Sequence, residues 1–568
     1  MSKRTQQTMP VFVAIAVVFV AILTSCENPE KARMTEEFKQ FLTEFEAKVA
    51  PLSREQNLAY FTATISGKDE DYEKSTELQI QLSKKFSNKE EFDNLKRFRE
   101  ANAIDDPLLS RQLDVLYRAY LEKQLDEEKL EEIIKLQNEI EKTFSTFRAE
   151  VNGQQHTDNE IEEVLKSSTR SDVLQNAWEA SKKIGEVVST DVLKLVDLRN
   201  AAARELSFRN YHAMQLELSE QNPDDIEKLF DELDELTRDS FADAKSEVND
   251  FLASRYGLAK EQLMPWHYQN RFFQEAPRVY DVDLDQYYAD QDLVKLTGRY
   301  FDGLGMPIDD LLAKSDLFEK EGKYQHAYCI DMDREGDVRV VCNVKPNHNW
   351  MNTMLHEYGH AVYDKFQDPG TPWVLREPAH TFTTEAIAML FGRFASSPAW
   401  MQEMVGISDT ERGQIAHAAA RTLRLEQLVF SRWVQVMYRF EKAMYENPKQ
   451  DLNKLWWDLA EKYQMLRRPE GRDAPDWASK IHVALYPAYY HNYMMGELLA
   501  SQLYYYITQQ ILQSADVKNE SFTNQKAAGE YLIEHIFKPG NKFYWNDMIQ
   551  KATEEKLTAK YFAKQFIG

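Results

Sequence analysis

The hydrophobic pattern of residues 31–260 constrains the fold more than any other feature of the chain. It is built from charged, Leu-rich segments of helical period. In "LDEEKLEEIIKLQNEIEKTF", residues 125–144, Leu130, Ile133, Ile134 and Ile140 recur at spacings that draw one apolar stripe along a helix. The Glu and Lys between them form a solvated face. Breaks fall at "QNPDD" (221–225), "QEAPRVYDVD" (274–283), "DPGTPW" (368–373) and "RRPEGRDAPDW" (467–477), and helical segments resume after them, among them residues 409–445 and the C-terminal stretch. No repeat of fixed period is present, so a solenoid is not expected. The pattern predicts a predominantly α fold, one large domain or two lobes around a cleft.

One stretch departs from that pattern. "HAYCIDMDREGDVRVVCNV", residues 326–344, alternates and is rich in β-branched side chains around Glu335-Gly336, which reads as a β-hairpin. With Glu335 and Gly336 as the two loop residues, Arg334 faces Asp337 and Cys329 comes opposite Cys342. That register predicts a cross-strand disulfide, against the alternative of two buried free thiols.

Composition narrows the function classes. A chain of 568 residues with 43% hydrophobic content can bury a large core, and its net charge of -24 argues against a nucleic-acid partner, which needs clustered Lys and Arg. At the N-terminus, Lys3 and Arg4 precede an apolar run from Pro10 to Leu23, the layout of an export signal. The run ends in "LTSC", which resembles a bacterial lipobox with Cys26 as the lipidated thiol. An ordinary cleaved signal or an uncleaved anchor are the alternatives. The expectation is a signal peptide over residues 1–25 and a single catalytic domain over 26–568, lipid-anchored in a bacterial cell envelope, facing the periplasm or the surface. In such an oxidising compartment disulfides persist.

The chemistry concentrates in the second half. In "NTMLHEYGHAVYDKF", residues 352–366, His356 and His360 stand four apart, so on a helix both imidazoles lie on one face, with Glu357 beside them. This is the H-E-x-x-H arrangement in which two His bind zinc and the Glu serves as general base. A catalytic zinc takes three protein ligands and keeps one position open, so a further donor is required. "REPAHTFTTEAIAMLFGRFA" turns helical from Thr383 onward and offers Glu385, with Glu377 as rival. Two imidazoles and a carboxylate suit zinc. "KIHVALYPAYYHNYMMGELLASQ", residues 480–502, is dense in His and Tyr. His482 and Tyr493 there are candidate hydrogen-bond donors to an oxyanion, against the alternative of an aromatic face packed in the core. His348, His380, His417 and His535 have no partner at ligand spacing and read as solvated or hydrogen-bonded side chains, with His348 and His380 near enough to the His356 and Glu385 segments for a role in supporting the ligands.

Together these segments resemble the angiotensin-converting enzyme family of zinc peptidases over residues 178–502. "WEASKKIGEVVSTDVLKLVDLRNAAARELSFRNY", "QHAYCIDM", "HEYGH", "REPAHTFTTEA" and "KIHVALYPAYYHNY" carry the likeness. The resemblance implies one zinc per chain on His356, His360 and Glu385, and Glu357 as base and proton shuttle. It implies that His326 and the Ala327 backbone hold peptide as an added strand. His482 and Tyr493 would stabilise the tetrahedral intermediate, and Lys480 with Tyr490 would grip a C-terminal carboxylate. The chain has one residue more than the family pattern between His482 and Tyr493, so Tyr489 competes with Tyr490. Where the family has a carboxylate-binding Gln, the chain offers Tyr268 with Gln269 adjacent, and Asn492 and Met389 replace a chloride-binding Arg and an Asp. The implied architecture is two helical halves around a deep cleft, with a short sheet beside the zinc site and residues 31–150 as a helical lid. The implied function is a peptidyl-dipeptidase acting on short peptides. An oligoendopeptidase and an inactive peptide-binding lipoprotein are the alternatives.

Overall fold

The computed structural model describes residues 29–280 and 282–567. The expected signal peptide and Cys26 lie outside the described residues. Among those described, no helix is long and apolar enough to cross a membrane.

The fold is predominantly α, 69% helical, with two antiparallel sheets of two strands each. Helices that matter below are α1 Pro29–Ser66, α2 Asp69–Phe86, α3 Lys89–Glu100, α4 Pro107–Glu122, α5 Glu127–Thr146, α6 Ser171–Glu205, α7 Pro223–Tyr256, α8 His348–Lys365, α9 Thr381–Gly392, α10 Asp409–Glu446 and α11 His491–Tyr506. They begin where the sequence supplies caps. Asp106 accepts from the Leu109 amide ahead of Pro107, Asn222 accepts from the Asp224 and Asp225 amides ahead of Pro223, and Ser408 with Glu411 closes a reciprocal box on α10. Gly257, at φ +65°, ends α7 in the left-handed conformation that costs glycine nothing.

Two hydrophobic centres organise the chain. The larger joins α6, α8, α9, α10 and α11 through buried residues such as Trp178, Leu355, Phe382, Ile387, Trp433 and Leu499. The second belongs to α1, α3 and α4, where Phe38, Phe45, Leu95, Leu116 and Tyr120 close on Trp373, Val374 and Leu375 of the body. The N-terminal helices are also tied down at their far end. Asn57 on α1 donates to the carbonyls of Asp331 (3.0 Å) and Met332 (3.3 Å), and the Tyr324 amide donates to the Thr64 carbonyl at 2.8 Å.

The apolar stripe of α5 differs in one member from its sequence reading. Ile133, Leu136 and Ile140 are buried, while Ile134 is 46% exposed. Positions 133, 136 and 140 follow the i, i+3, i+7 rule; 134 is rotated off that face.

Strands β1 (Ala149–Val151) and β2 (Gln154–His156) form a hairpin absent from the sequence reading. Its signal was present in "VNGQ": Asn152 and Gly153 both adopt positive φ, +53° and +79°, as a two-residue hairpin turn requires. Strands β3 (Tyr328–Asp331) and β4 (Val338–Val341) form the expected hairpin with a register two residues away from the expected one. Cys329 lies opposite Val340, not Cys342, and both cysteines are free thiols, which corrects the expected disulfide. The cause is the loop. Asp331 and Asp333 side chains accept from the amides of Asp333, Arg334, Glu335 and Asp337, and Arg334 and Gly336 take positive φ, so the turn widens beyond Glu335-Gly336. Cys342 then leaves β3 altogether, its amide donating to the Asp316 carbonyl at 2.9 Å.

Candidate metal centre and adjoining cavities

His356 and His360 lie on α8, two turns into a helix that Asn347 caps by accepting from the Trp350 amide. Between them stands Gly359, and its lack of a side chain sets the site. A Cβ there would come 2.8 Å from Ala388 Cα and 3.2 Å from its nitrogen, so α8 and α9 cross almost backbone to backbone. On the other side of α9, a Cβ at Gly496 of α11 would stand 3.1 Å from Met389 Sδ and 3.4 Å from Glu385 Cβ. The two glycines clamp α9 so that Glu385 faces the histidine pair.

The donor atoms of His356, His360 and Glu385 all lie within 4.8 Å of one another. Glu385 Oε2 is 3.7 Å from His356 Nε2 and 3.9 Å from His360 Nε2. His360 Nδ1 meets Thr384 Oγ1 at 2.7 Å, which fixes that ring with Nε2 toward Glu385. Burial holds the His356 imidazole down at about 4, and burial plus His356 holds His360 well below its ordinary value, so both rings are neutral. Burial pushes Glu385 up to about 7, and burial plus the Glu385 carboxylate pushes Glu357 up to about 8. Two imidazole nitrogens and a carboxylate oxygen converging at this spacing can hold a cation, and nitrogen with oxygen donors fits zinc.

The rival carboxylate is otherwise engaged, since Glu377 pairs with the Arg334 guanidinium. Both line the cavity of about 880 Å³ in front of the triad, as do Ser53, Asn57 and Leu82 of the N-terminal helices, and Ala327. His326 is exposed and does not line this cavity, contrary to its expected place beside Ala327. Its ring packs on Tyr324 instead, 5.3 Å between centroids. Sequence reading also missed Asp364, one further turn along the His356–His360 face. It lines the cavity with Asp331, and burial together with that carboxylate pushes it well up.

A second cavity, of about 680 Å³, adjoins the first, and Met389 and Tyr493 line both. Lys480, His482 and Tyr490 line the second. Lys480 donates to Gln274 Oε1 at 2.6 Å, and burial with nearby Arg271 draws it down to about 8. His482 is held at about 4 by burial and Lys480, and its Nδ1 is buried without a hydrogen-bond partner. Tyr490, its hydroxyl accepting from Trp433 Nε1 at 2.8 Å, packs on His482 with 5.0 Å between ring centroids. Tyr489 does not line this cavity, so of the two tyrosines it is Tyr490 that stands beside Lys480. Gln269 lines it too, while Tyr268 turns away to Lys245 and Asn249. A Gln is therefore at the cavity, one position along from Tyr268. Asn492 is buried on Gln221. The four histidines without a partner at ligand spacing are bonded or exposed: His348 on Ser396 at 2.8 Å, His380 as the cap of α9, His417 and His535 exposed.

The tyrosine segment is aimed by Ala488, which adopts φ +54° and donates its amide to Glu441 Oε1 at 2.8 Å. Burial pushes Glu441 up to about 8. Since an unfolded Glu titrates near about 4.3, this group's contribution to stability is complete below that pH and is lost as pH rises toward its folded value. Glu441→Gln keeps an acceptor for Ala488 without the charge. Melting curves are expected to show the wild type losing stability relative to this variant between pH 5 and 8; parallel pH profiles would contradict that role.

A sequence model of the angiotensin-converting enzyme family, Peptidase M2, matches residues 32–566. The chain is 22% identical over 467 residues to angiotensin-converting enzyme of Mesocricetus auratus, covering 76% of this chain and 35% of that protein. It is 23% identical over 429 residues to that of Sus scrofa, covering 69% and 32%. The chain thus spans about a third of the length of these curated relatives. The family is one of zinc metallopeptidases, and its model covers nearly the whole chain. With a His, His, Glu donor set at the wall of a large cavity and a family match from residue 32 to residue 566, the chain belongs to the angiotensin-converting enzyme family.

Proposed function

We propose that the protein is a zinc peptidyl-dipeptidase that removes dipeptides from the C-termini of short peptides. The observation that carries this reading is the shared wall: Tyr493 lines both the cavity of the triad and the cavity of Lys480. A peptide carbonyl near the triad then has its C-terminal side directed toward a buried cation. His356, His360 and Glu385 would hold one zinc ion, and what zinc supplies when bound is Lewis acidity toward the carbonyl and the attacking water.

The chain's own groups do the rest. Glu357 takes a proton from the attacking water at its carboxylate and passes it to the leaving amine. Tyr493 Oη and a ring N–H of His482 donate to the developing oxyanion. Lys480 and Tyr490 hold the C-terminal carboxylate, which accounts for a buried lysine whose partners, the Gln274 amide and the rings of Phe272, Trp433 and Tyr490, carry no negative charge. Ala327 presents backbone beside the triad for strand-like pairing with peptide. Helices α1–α4 form a lid that excludes folded proteins. The chain is exported as a lipoprotein and anchored through Cys26, a reading supported by "LTSC" after a positively flanked apolar run.

Mass spectrometry of the products from one short peptide, with its C-terminus free or amidated, tests this directly. Dipeptides from the free peptide alone are expected. Internal cuts in both would replace the reading with an oligoendopeptidase, and stoichiometric zinc without cleavage with a peptide-binding protein. Tyr493→Phe is expected to lower kcat by about 10²–10³ with KM little changed, the scale of losing one oxyanion donor; a change confined to KM would move Tyr493 out of that role.

A further inference from the structure

The cavity beyond Tyr493 is lined by charged side chains, and most of them are engaged. Lys480 is held by Gln274, Lys166 lies 3.5 Å from Glu275, and Glu497 pairs with Arg393 and accepts from Gln427 at 3.1 Å. Among the Lys, Arg and Glu side chains of this lining, two have no hydrogen-bonding or ionic partner among the described residues: those of Arg278 and Glu426. Both belong, with Ala276, to the stretch of wall that this cavity shares with a third one of about 660 Å³, lined further on by Tyr280, Leu284 and Leu423. They are opposite in charge and do not pair with each other. The junction between the two cavities therefore presents one unpaired guanidinium and one unpaired carboxyl group, the latter pushed up to about 7 by desolvation in the cavity wall and by the Glu275 carboxylate.

That pair of groups distinguishes product from substrate. Before cleavage, the nitrogen of the scissile bond is an amide without charge. Hydrolysis adds water across the bond: the carbonyl carbon keeps the oxygen as a carboxylate, and the nitrogen leaves as an amine that is protonated near neutral pH. A released dipeptide is thus a zwitterion with a carboxylate at one end and a new ammonium at the other. A longer free-ended substrate carries the same two charges further apart, so charge-assisted hydrogen bonds to an ammonium two residues from the carboxylate are available only after cleavage.

Resting on the dipeptidase reading, we propose that Arg278 and Glu426 form a product site that receives the released dipeptide, carboxylate to Arg278 and ammonium to Glu426. The third cavity then serves as its way out. Substrate enters under α1 and α2, whose Ser53, Asn57 and Leu82 line the first cavity, and the product leaves from the opposite end of the row of cavities. Retention at this junction makes the dipeptide an inhibitor of its own formation.

Calorimetry on the zinc-loaded protein with Ala-Phe, N-acetyl-Ala-Phe and Ala-Phe amide tests the assignment. The ammonium arm is decisive, since Lys480 has no reason to discriminate at that end. Wild type is expected to bind Ala-Phe about tenfold tighter than the acetylated form, the scale of one charged hydrogen bond. Glu426→Gln is expected to erase that preference. Arg278→Gln is expected to weaken Ala-Phe binding by about tenfold while leaving the KM of a longer substrate unmoved, because the substrate carboxylate goes to Lys480. Both side chains are exposed, so neither change threatens the fold. Variants that bind all three compounds as the wild type does would overturn the proposal. The expected binding pattern in a protein that releases no dipeptides would instead overturn the dipeptidase reading and leave the junction as a dipeptide site.

Discussion

Glu357→Gln is expected to reduce peptide turnover by about 10²–10⁴, the contribution of one positioned acid-base group, with zinc content unchanged. Glu357 is 7% exposed, lies beside the His356–His360 pair, and is not among the three groups whose donor atoms converge. Removing its charge leaves the donor set intact, and the amide is nearly the same size as the carboxyl. What it loses is the ability to accept and return a proton. Peptide binding measured on the variant is expected to stay near the wild-type value, which separates loss of chemistry from loss of the cleft. A variant that retains most of its activity would assign the base to another residue; one that loses zinc would make Glu357 a ligand.

Gly359→Ala carries the second large effect, and its sign runs against local propensity. In the middle of a helix, replacing Gly by Ala gains about 1 kcal/mol. Here the added Cβ would stand 2.8 Å from Ala388 Cα, against backbone that cannot rotate away. The helices must separate, and overpacking of this kind costs about 1–3 kcal/mol. Separation also draws Glu385 away from the two histidines, so metal affinity is expected to fall by about 10- to 100-fold, as when the supports of metal ligands are removed. Thermal melts with and without zinc, together with a zinc titration, read both effects. An unchanged or raised melting temperature would show that the α8–α9 crossing tolerates a side chain and does not set the site.

The α class was legible in the sequence because it rests on periodicity, and the period of 3.6 survives in α5 even though Ile134 belongs to the other face. His356, His360 and Glu385 were legible because spacing on one helix and a carboxylate on the next are local statements. The hairpin register was not. It depends on which side chains cap the loop, and Asp331 and Asp333 widen the turn in a way that residue type alone does not announce. His326 and Ala327 show the same limit at single-residue scale. They are neighbours in an extended segment, and only the packing of Tyr324 decides that Ala327 borders the cavity while His326 faces solvent. The junction of Arg278 and Glu426 was invisible for a further reason: it is defined by partners that are absent, and those can be counted only in three dimensions.

The most direct measurement of the central claim is a zinc titration of the chelated protein, lacking residues 1–26, that follows dipeptide release and bound metal together. The account predicts activity rising in proportion to zinc and levelling at one ion per chain, with Glu385→Gln shifting the rise to higher zinc. Activity that ignores zinc, or full zinc binding with no hydrolysis of any free-ended peptide, would contradict it.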